Sequence, residues 1–155
     1  MRVADWAVER DAGMLVTLGL GSCVAIMLHD PAVPAAGMAH VLLPSPSLTR
    51  DQGNPAKFPE TAVPLLVEGL RGLGAQPGRL VAKLAGGASM FSQLLTPGTI
   101  QMGERNIVAS RHVLRIAGIP VVREAVGGTA GRTVRFDVAT GVVEVRVVGQ
   151  DAVRL

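Results

Sequence analysis

Two short apolar runs, Met14–Leu18 and Val24–Leu28, flank a glycine-rich break at Gly19-Leu20-Gly21-Ser22-Cys23. Both have the length and β-branched content of strands, and Arg2–Glu9 before them alternates loosely enough for an edge strand. Asp30-Pro31 through Ala36-Gly37 reads as a turn, Met38–Leu43 as another short apolar strand, and Pro44-Ser45-Pro46 as its stop. The polar stretch from there to Pro59 reads as a long surface loop. At Pro59 the period changes. Ala62, Leu65, Leu66, Gly69, Leu70 and Leu73 recur at helical spacing, with Gly74 as the C-terminal stop. Arg79–Leu84 returns to a strand ending in Gly86-Gly87, and a second helix is expected over Glu104–Ala117, closed by Gly118 and Pro120. Three strands follow, Val121–Val126, Thr133–Val138 and Val142–Val148. Their turns are Gly127–Gly131 and Thr140-Gly141, the latter suited to a tight hairpin.

Seven or eight strands with two separated helices predict an α+β fold rather than a doubly wound parallel sheet. The expected form is a layered α/β/β sandwich of antiparallel and mixed strands with both helices on one side. At 155 residues, with no internal repeat or linker, residues 1–155 read as one domain.

Composition narrows the function classes. Hydrophobic residues make up 48% and charged residues 17%, a packed rather than disordered chain. The core must be aliphatic, because aromatics are only 3% and tyrosine is absent. The net charge of +3 comes from scattered arginines without interleaved aromatics, which argues against nucleic-acid binding. Charges at Arg2, Asp5, Glu9, Arg10 and Asp11 are incompatible with a secretory leader, and Met14–Leu28 is too short to span a bilayer. The expected location is the cytoplasm, where a thiol stays reduced.

Cys23 is the only cysteine, so it is either an inert core residue or a nucleophile. His40, in an apolar run, is either a core histidine or a base. Thr17 is equally ordinary strand filling. The run from Gly19 to Ala25 loosely fits the G-x-G-x-x-G/A dinucleotide pattern, but it leads into a strand and lacks the acidic residue that pattern requires. His29, His40, His112 and Cys23 show no paired metal-ligand spacing, so no metal or other cofactor is expected. His112 is expected to face solvent, and so is His29, which remains the fallback base. Gly86-Gly87-Ala88-Ser89 reads as a turn packing near the site rather than an anion nest.

Five ordered blocks carry a resemblance. They are Thr17–Ala25, Gly37–Pro44, Ala82–Phe91, Ile100–Asn106, and Gly127-Gly128 with Gly131-Arg132. Together they resemble the chemoreceptor glutamine deamidases, the CheD family, over nearly the whole chain. Phe58 and Glu60 depart from that family's usual tyrosine and aspartate. The resemblance implies a catalytic set of Cys23, His40 and Thr17: Cys23 attacks a glutamine carboxamide, His40 relays the proton, and Thr17 orients the imidazole. The Cys23 amide, supported by Ser22 and Gly21, is the expected oxyanion donor. The implied partners are the cytoplasmic region of methyl-accepting chemotaxis receptors and a CheC-type phosphatase, with methylester hydrolysis as a side activity. Two alternatives stay open. One is a non-catalytic chemotaxis adaptor that binds receptors or the phosphatase; the other is a thiol deamidase, akin to the toxin deamidases, acting on another protein's glutamine.

Overall fold

The structure, a computed structural model, describes residues 1–90, 101–147 and 149–155. Phe91 and Ile100 of the blocks above, and Val148 of the last expected strand, lie outside the described residues. Among the described residues there are two α-helices and nine strands, the strands arranged in two sheets. The first sheet runs in the order β1-β4-β3-β5-β6: Trp6–Arg10 (β1), Ala35–Val41 (β4), Val24–Asp30 (β3), Val81–Gly86 (β5) and Val121–Val126 (β6). It is mixed, since only β5 and β6 pair in parallel. The second sheet is antiparallel, in the order Met14–Leu20 (β2), Arg132–Asp137 (β7), Val143–Val147 (β8) and Val153–Arg154 (β9).

Helices Pro59–Gly72 (α1) and Met102–Ile116 (α2) pack side by side on one face of the first sheet, and the second sheet covers the other. This is the α+β, α/β/β arrangement that the periodicity predicts. It also explains why Val24–Leu28 is apolar at every position: β3 is the central strand and is buried on both faces. Val24, Ile26 and Leu28 point toward Leu66 and Leu70 of α1 and Leu114 of α2. Ala25 and Met27 point the other way, toward Leu15, Phe136, Val143 and Val145 of the second sheet. At the far end of β3, buried Asp30 accepts hydrogen bonds from the amides of Ala32 and Gln76 and from the Arg79 guanidinium.

Several expected boundaries move. β4 starts at Ala35, not Met38, so only 31–34 form the turn. Small residues there let α1 approach, with Gly37 close beneath Val8 and Leu66. The polar stretch before Pro59 is not all surface loop: short 3-10 turns at Pro46–Leu48 and Pro55–Lys57 bring Ala56 and Phe58 into the interior. Helix α2 begins two residues early, at Met102, and β9 was not predicted at all. His29 is half-buried rather than out in solvent. It lies in β3, edge-on to Phe136 with ring centroids 6.4 Å apart, and its Nε2 is buried without a hydrogen-bond partner. His112 is exposed, as expected.

Where the chain leaves the second sheet at Leu20 and enters the first at Val24, it passes directly over the end of β5. Gly86 there has φ +111°, and a Cβ on it would run into the Cys23 carbonyl and the Leu20 side chain. Gly86→Ala is therefore expected to cost about 2 kcal/mol or more in urea denaturation, from combined backbone strain and steric conflict. Unchanged stability would show that the crossing is not so tightly confined.

Candidate active site

Alternation along a strand fixes which way each candidate points. Cys23 and Ala25 are two residues apart and share a face, and Ala25 pairs with His40 on β4. Cys23, Ala25 and His40 therefore all face the second sheet. From that sheet, Thr17 of β2 reaches back to His40. Its Oγ1 lies 2.8 Å from His40 Nδ1, with Thr17 fully buried and His40 1% exposed. The structure thus brings Thr17, His40 and the Cys23 turn to one place, although Thr17 and Cys23 belong to different sheets. His29 sits six residues along β3 from Cys23 and takes no part, which removes the fallback base.

The hydrogen bonds choose the imidazole tautomer. Thr17 Oγ1 donates to the Met1 carbonyl at 3.3 Å, so it accepts from His40 Nδ1–H. That leaves the Nε2 lone pair open as a base. Nε2 is buried and bonded to nothing else. Burial, with a smaller contribution from the nearby Met1 ammonium, lowers the His40 pKa to about 4, so the ring is neutral at pH 7. Burial likewise pushes the Cys23 thiol up, partly offset by its own backbone N–H. Cys23 is 8% exposed, so its sulfur is screened but reachable. Both shifts favour the uncharged forms, a thiol and a neutral imidazole.

The turn holding the thiol is clamped from inside. Gly21 C=O accepts from Ala88 N–H at 2.8 Å, and Cys23 C=O accepts from Gly87 N–H at 2.7 Å. Gly86–Ser89 thus packs against the site, as the sequence suggests. Asn106 Nδ2, from α2, donates to Ser22 C=O at 2.9 Å and to Leu42 C=O at 3.0 Å. Neither Ser22 N–H nor Cys23 N–H donates to the backbone of another described residue; the Cys23 N–H lies toward its own thiol. A Cβ on Gly21 would come within 2.6 Å of Met90 Sδ, on a flexible and exposed side chain that lies over the turn. Beside the turn opens a cavity of about 170 Å³ lined by Ser22, Ala88, Met90, Gln101 and Met102. A larger one of about 350 Å³, on the outer face of the second sheet near Met14, Arg135 and Glu144, shares no residue with this site. Among the described residues, no three His, Cys, Asp or Glu side chains come together to hold a metal.

In the sequence Asn106 closes the Ile100–Asn106 block, and the pattern there gives it no role. Its signal was a polar residue on a buried helical face, since Gly103, Asn106, Ile107, Ser110 and Leu114 form the inward stripe of α2.

The fold thus joins Thr17 and His40 by a hydrogen bond between the two sheets and sets the turn carrying Cys23 against Ala25, the cross-strand partner of His40. Residues 42–147 match the family model described as CheD chemotactic sensory transduction, a match that begins just after His40. Among curated relatives, a probable chemoreceptor glutamine deamidase CheD from Caldanaerobacter subterraneus subsp. tengcongensis is 43% identical over 147 residues, spanning 95% of this chain and 91% of its own. One named probable chemoreceptor glutamine deamidase CheD 2, from Geobacter metallireducens, is 47% identical over 150 residues, 96% of this chain and 92% of its own. A Thermococcus kodakarensis relative with the first of those names is 40% identical over 151 residues, 97% and 93% of the two chains. The chain belongs to the CheD family. No helix among the described residues is long and apolar enough to cross a membrane.

The neutral resting pair is testable. An NMR titration of the His40 ring should give a midpoint near pH 4, with the imidazole protonated only below it. Alkylation of Cys23 by iodoacetamide should keep accelerating as pH rises above neutrality, because the thiol ionises late. A rate plateau reached below pH 6 would instead reveal a thiolate–imidazolium pair and contradict this electrostatic account.

Proposed function

We propose that residues 1–155 act as one glutamine deamidase domain that converts specific glutamine side chains of chemotaxis receptors to glutamate in the cytoplasm. The observation that carries this reading is the Thr17–His40 hydrogen bond, which presents a neutral imidazole to a lone cysteine in a chain of this family.

In the first step His40 Nε2 takes the thiol proton as Cys23 Sγ bonds to the carboxamide carbon. The carbonyl π electrons move to oxygen, and the amides of Cys23 and Ser22 are the donors for the resulting oxyanion. One such donor is typically worth about 3–4 kcal/mol of transition-state stabilisation. His40 then passes its proton to the amide nitrogen, the C–N bond breaks, and ammonia leaves a thioester. Water, deprotonated by His40, attacks that thioester. Its collapse releases glutamate and returns the proton to Cys23. No step calls on a metal or other cofactor. A glutamyl methyl ester fits the same steps, with methanol leaving in place of ammonia. The receptors' cytoplasmic region is the substrate, and a CheC-type phosphatase is the partner expected to dock beside the site.

Thr17 acts through His40 in this scheme. With its hydroxyl replaced by a methyl group, the ring can turn and lose the required tautomer. Thr17→Val is expected to lower kcat/KM by about 10-fold or more, roughly 1.4 kcal/mol, while Thr17→Ser retains most activity. Equal activity of the two variants would remove Thr17 from the mechanism.

Mass spectrometry of a receptor cytoplasmic fragment tests the function itself. Wild-type protein should produce the small mass gain of NH2 replaced by OH at defined glutamines, and Cys23→Ala should produce none. Retained conversion in Cys23→Ala would overturn the nucleophile. No conversion by wild type, with binding preserved, would favour the adaptor reading.

A further inference from the structure

We infer that Asn106 is a positioning residue that builds the oxyanion site, by holding the Ser22–Cys23 peptide with its N–H turned away from α2 and into the cleft beside the thiol. The inference rests on the reading of Cys23 as an acyl-transfer nucleophile.

The argument begins with three consecutive carbonyls. Gly21, Ser22 and Cys23 C=O are each held from the protein side, by Ala88 N–H, Asn106 Nδ2 and Gly87 N–H respectively. The peptide bonds of the turn are trans, and in a trans peptide the N–H lies opposite the C=O. Anchoring Gly21 C=O therefore sends Ser22 N–H outward, and anchoring Ser22 C=O does the same for Cys23 N–H. Neither N–H donates to the backbone of another described residue, and the one group Cys23 N–H approaches is its own sulfur, so two adjacent donors lie at the thiol. The two outer clamps are backbone amides from the end of β5, which a side-chain substitution leaves in place. The middle clamp, the one that aims the Cys23 amide, is the Asn106 side chain.

The assignment of its ends is forced. Both groups within hydrogen-bond reach, Ser22 C=O and Leu42 C=O, are acceptors, so the nitrogen must face them. The second bond has its own consequence, because Leu42 lies two residues beyond His40. One buried amide thus ties the nucleophile's turn to the end of the strand that carries the base. Asn106 is fully buried, and its Oδ1 has no hydrogen-bond partner among the described residues. An apolar residue would fill the same space on the inward stripe of α2 without that desolvation cost, so packing alone does not account for an amide here.

The test compares two reactions of Cys23 that differ only in whether an oxyanion develops. Acylation by p-nitrophenyl acetate passes through a tetrahedral oxyanion before p-nitrophenolate leaves. Alkylation by iodoacetamide is a displacement at saturated carbon and forms none. Asn106→Asp keeps the shape and removes the donors, Asn106→Ala removes the group without adding charge, and Cys23→Ala supplies the background. In folded variants, acylation should fall roughly 10–100-fold while alkylation stays within about threefold of wild type. On the receptor fragment the same variants should lose kcat with KM little changed. A parallel fall in both reactions, or no fall in acylation, overturns the inference. So does failure of both variants to fold, judged by circular dichroism, since Asn106 would then be an architectural post. The functional reading fails separately: wild-type protein acylated at Cys23 that converts no receptor glutamine would sink the substrate assignment and leave the role of Asn106 intact.

Discussion

The confinement of the chain where it crosses from one sheet to the other, between Leu20 and Val24, is the constraint on which the rest of the site depends. A nucleophile in a loose loop would sample many orientations, and the reaction would have to wait for the right one. Here the crossing is held by the end of β5, by an amide from α2 and by the steric wall at Gly86. The fold makes this possible by keeping the first sheet between helices and second sheet. β3 can then be buried on both faces, and its first residues emerge beside β4 and below β2. Each layer contributes one part: the second sheet brings Thr17, the first brings Cys23 and His40, and the helical layer brings Asn106.

Electrostatically the site is quiet at rest. Nothing anionic is hydrogen-bonded to His40; its orienting partner is a neutral hydroxyl, and burial favours the uncharged ring. The same burial disfavours the thiolate. An arrangement of this kind generates charge only when a carbonyl is present to receive it, with the amides of Ser22 and Cys23 ready for the oxyanion. It also protects the thiol from oxidation, because the thiolate is the susceptible form.

Much of this was legible in the sequence, for identifiable reasons. β3 and α1 declare themselves through unbroken apolarity and helical spacing: Val24–Leu28 is buried throughout, and of the marked helical positions Ala62, Leu66 and Leu70 are buried while Leu65, Gly69 and Leu73 are half-buried. β4 was cut short because Ala35-Ala36-Gly37 resembles turn composition. Only the packing of α1 shows that small residues are needed there for close approach. His29 was misjudged because proximity to Asp30-Pro31 suggested a turn, whereas β3 continues through it between the sheets. Cys23, His40 and Thr17 could be named together only through the family resemblance. No spacing rule reveals that a strand of one sheet supplies the hydroxyl for a histidine of the other. Asn106 escaped for a related reason. A polar residue on a buried helical stripe is a visible anomaly, but its partners are two carbonyls far away in the chain.

The central claim is that Cys23 forms a covalent acyl intermediate with a receptor glutamine. Acid-quenching the reaction within its first turnovers, followed by peptide mass spectrometry of the enzyme, tests it most directly. The account predicts a receptor glutamyl group joined through a thioester to the peptide containing Cys23, rising and then decaying as glutamate accumulates. Glutamate accumulating with no adduct on Cys23 at any time, together with full activity of Cys23→Ala, would contradict it.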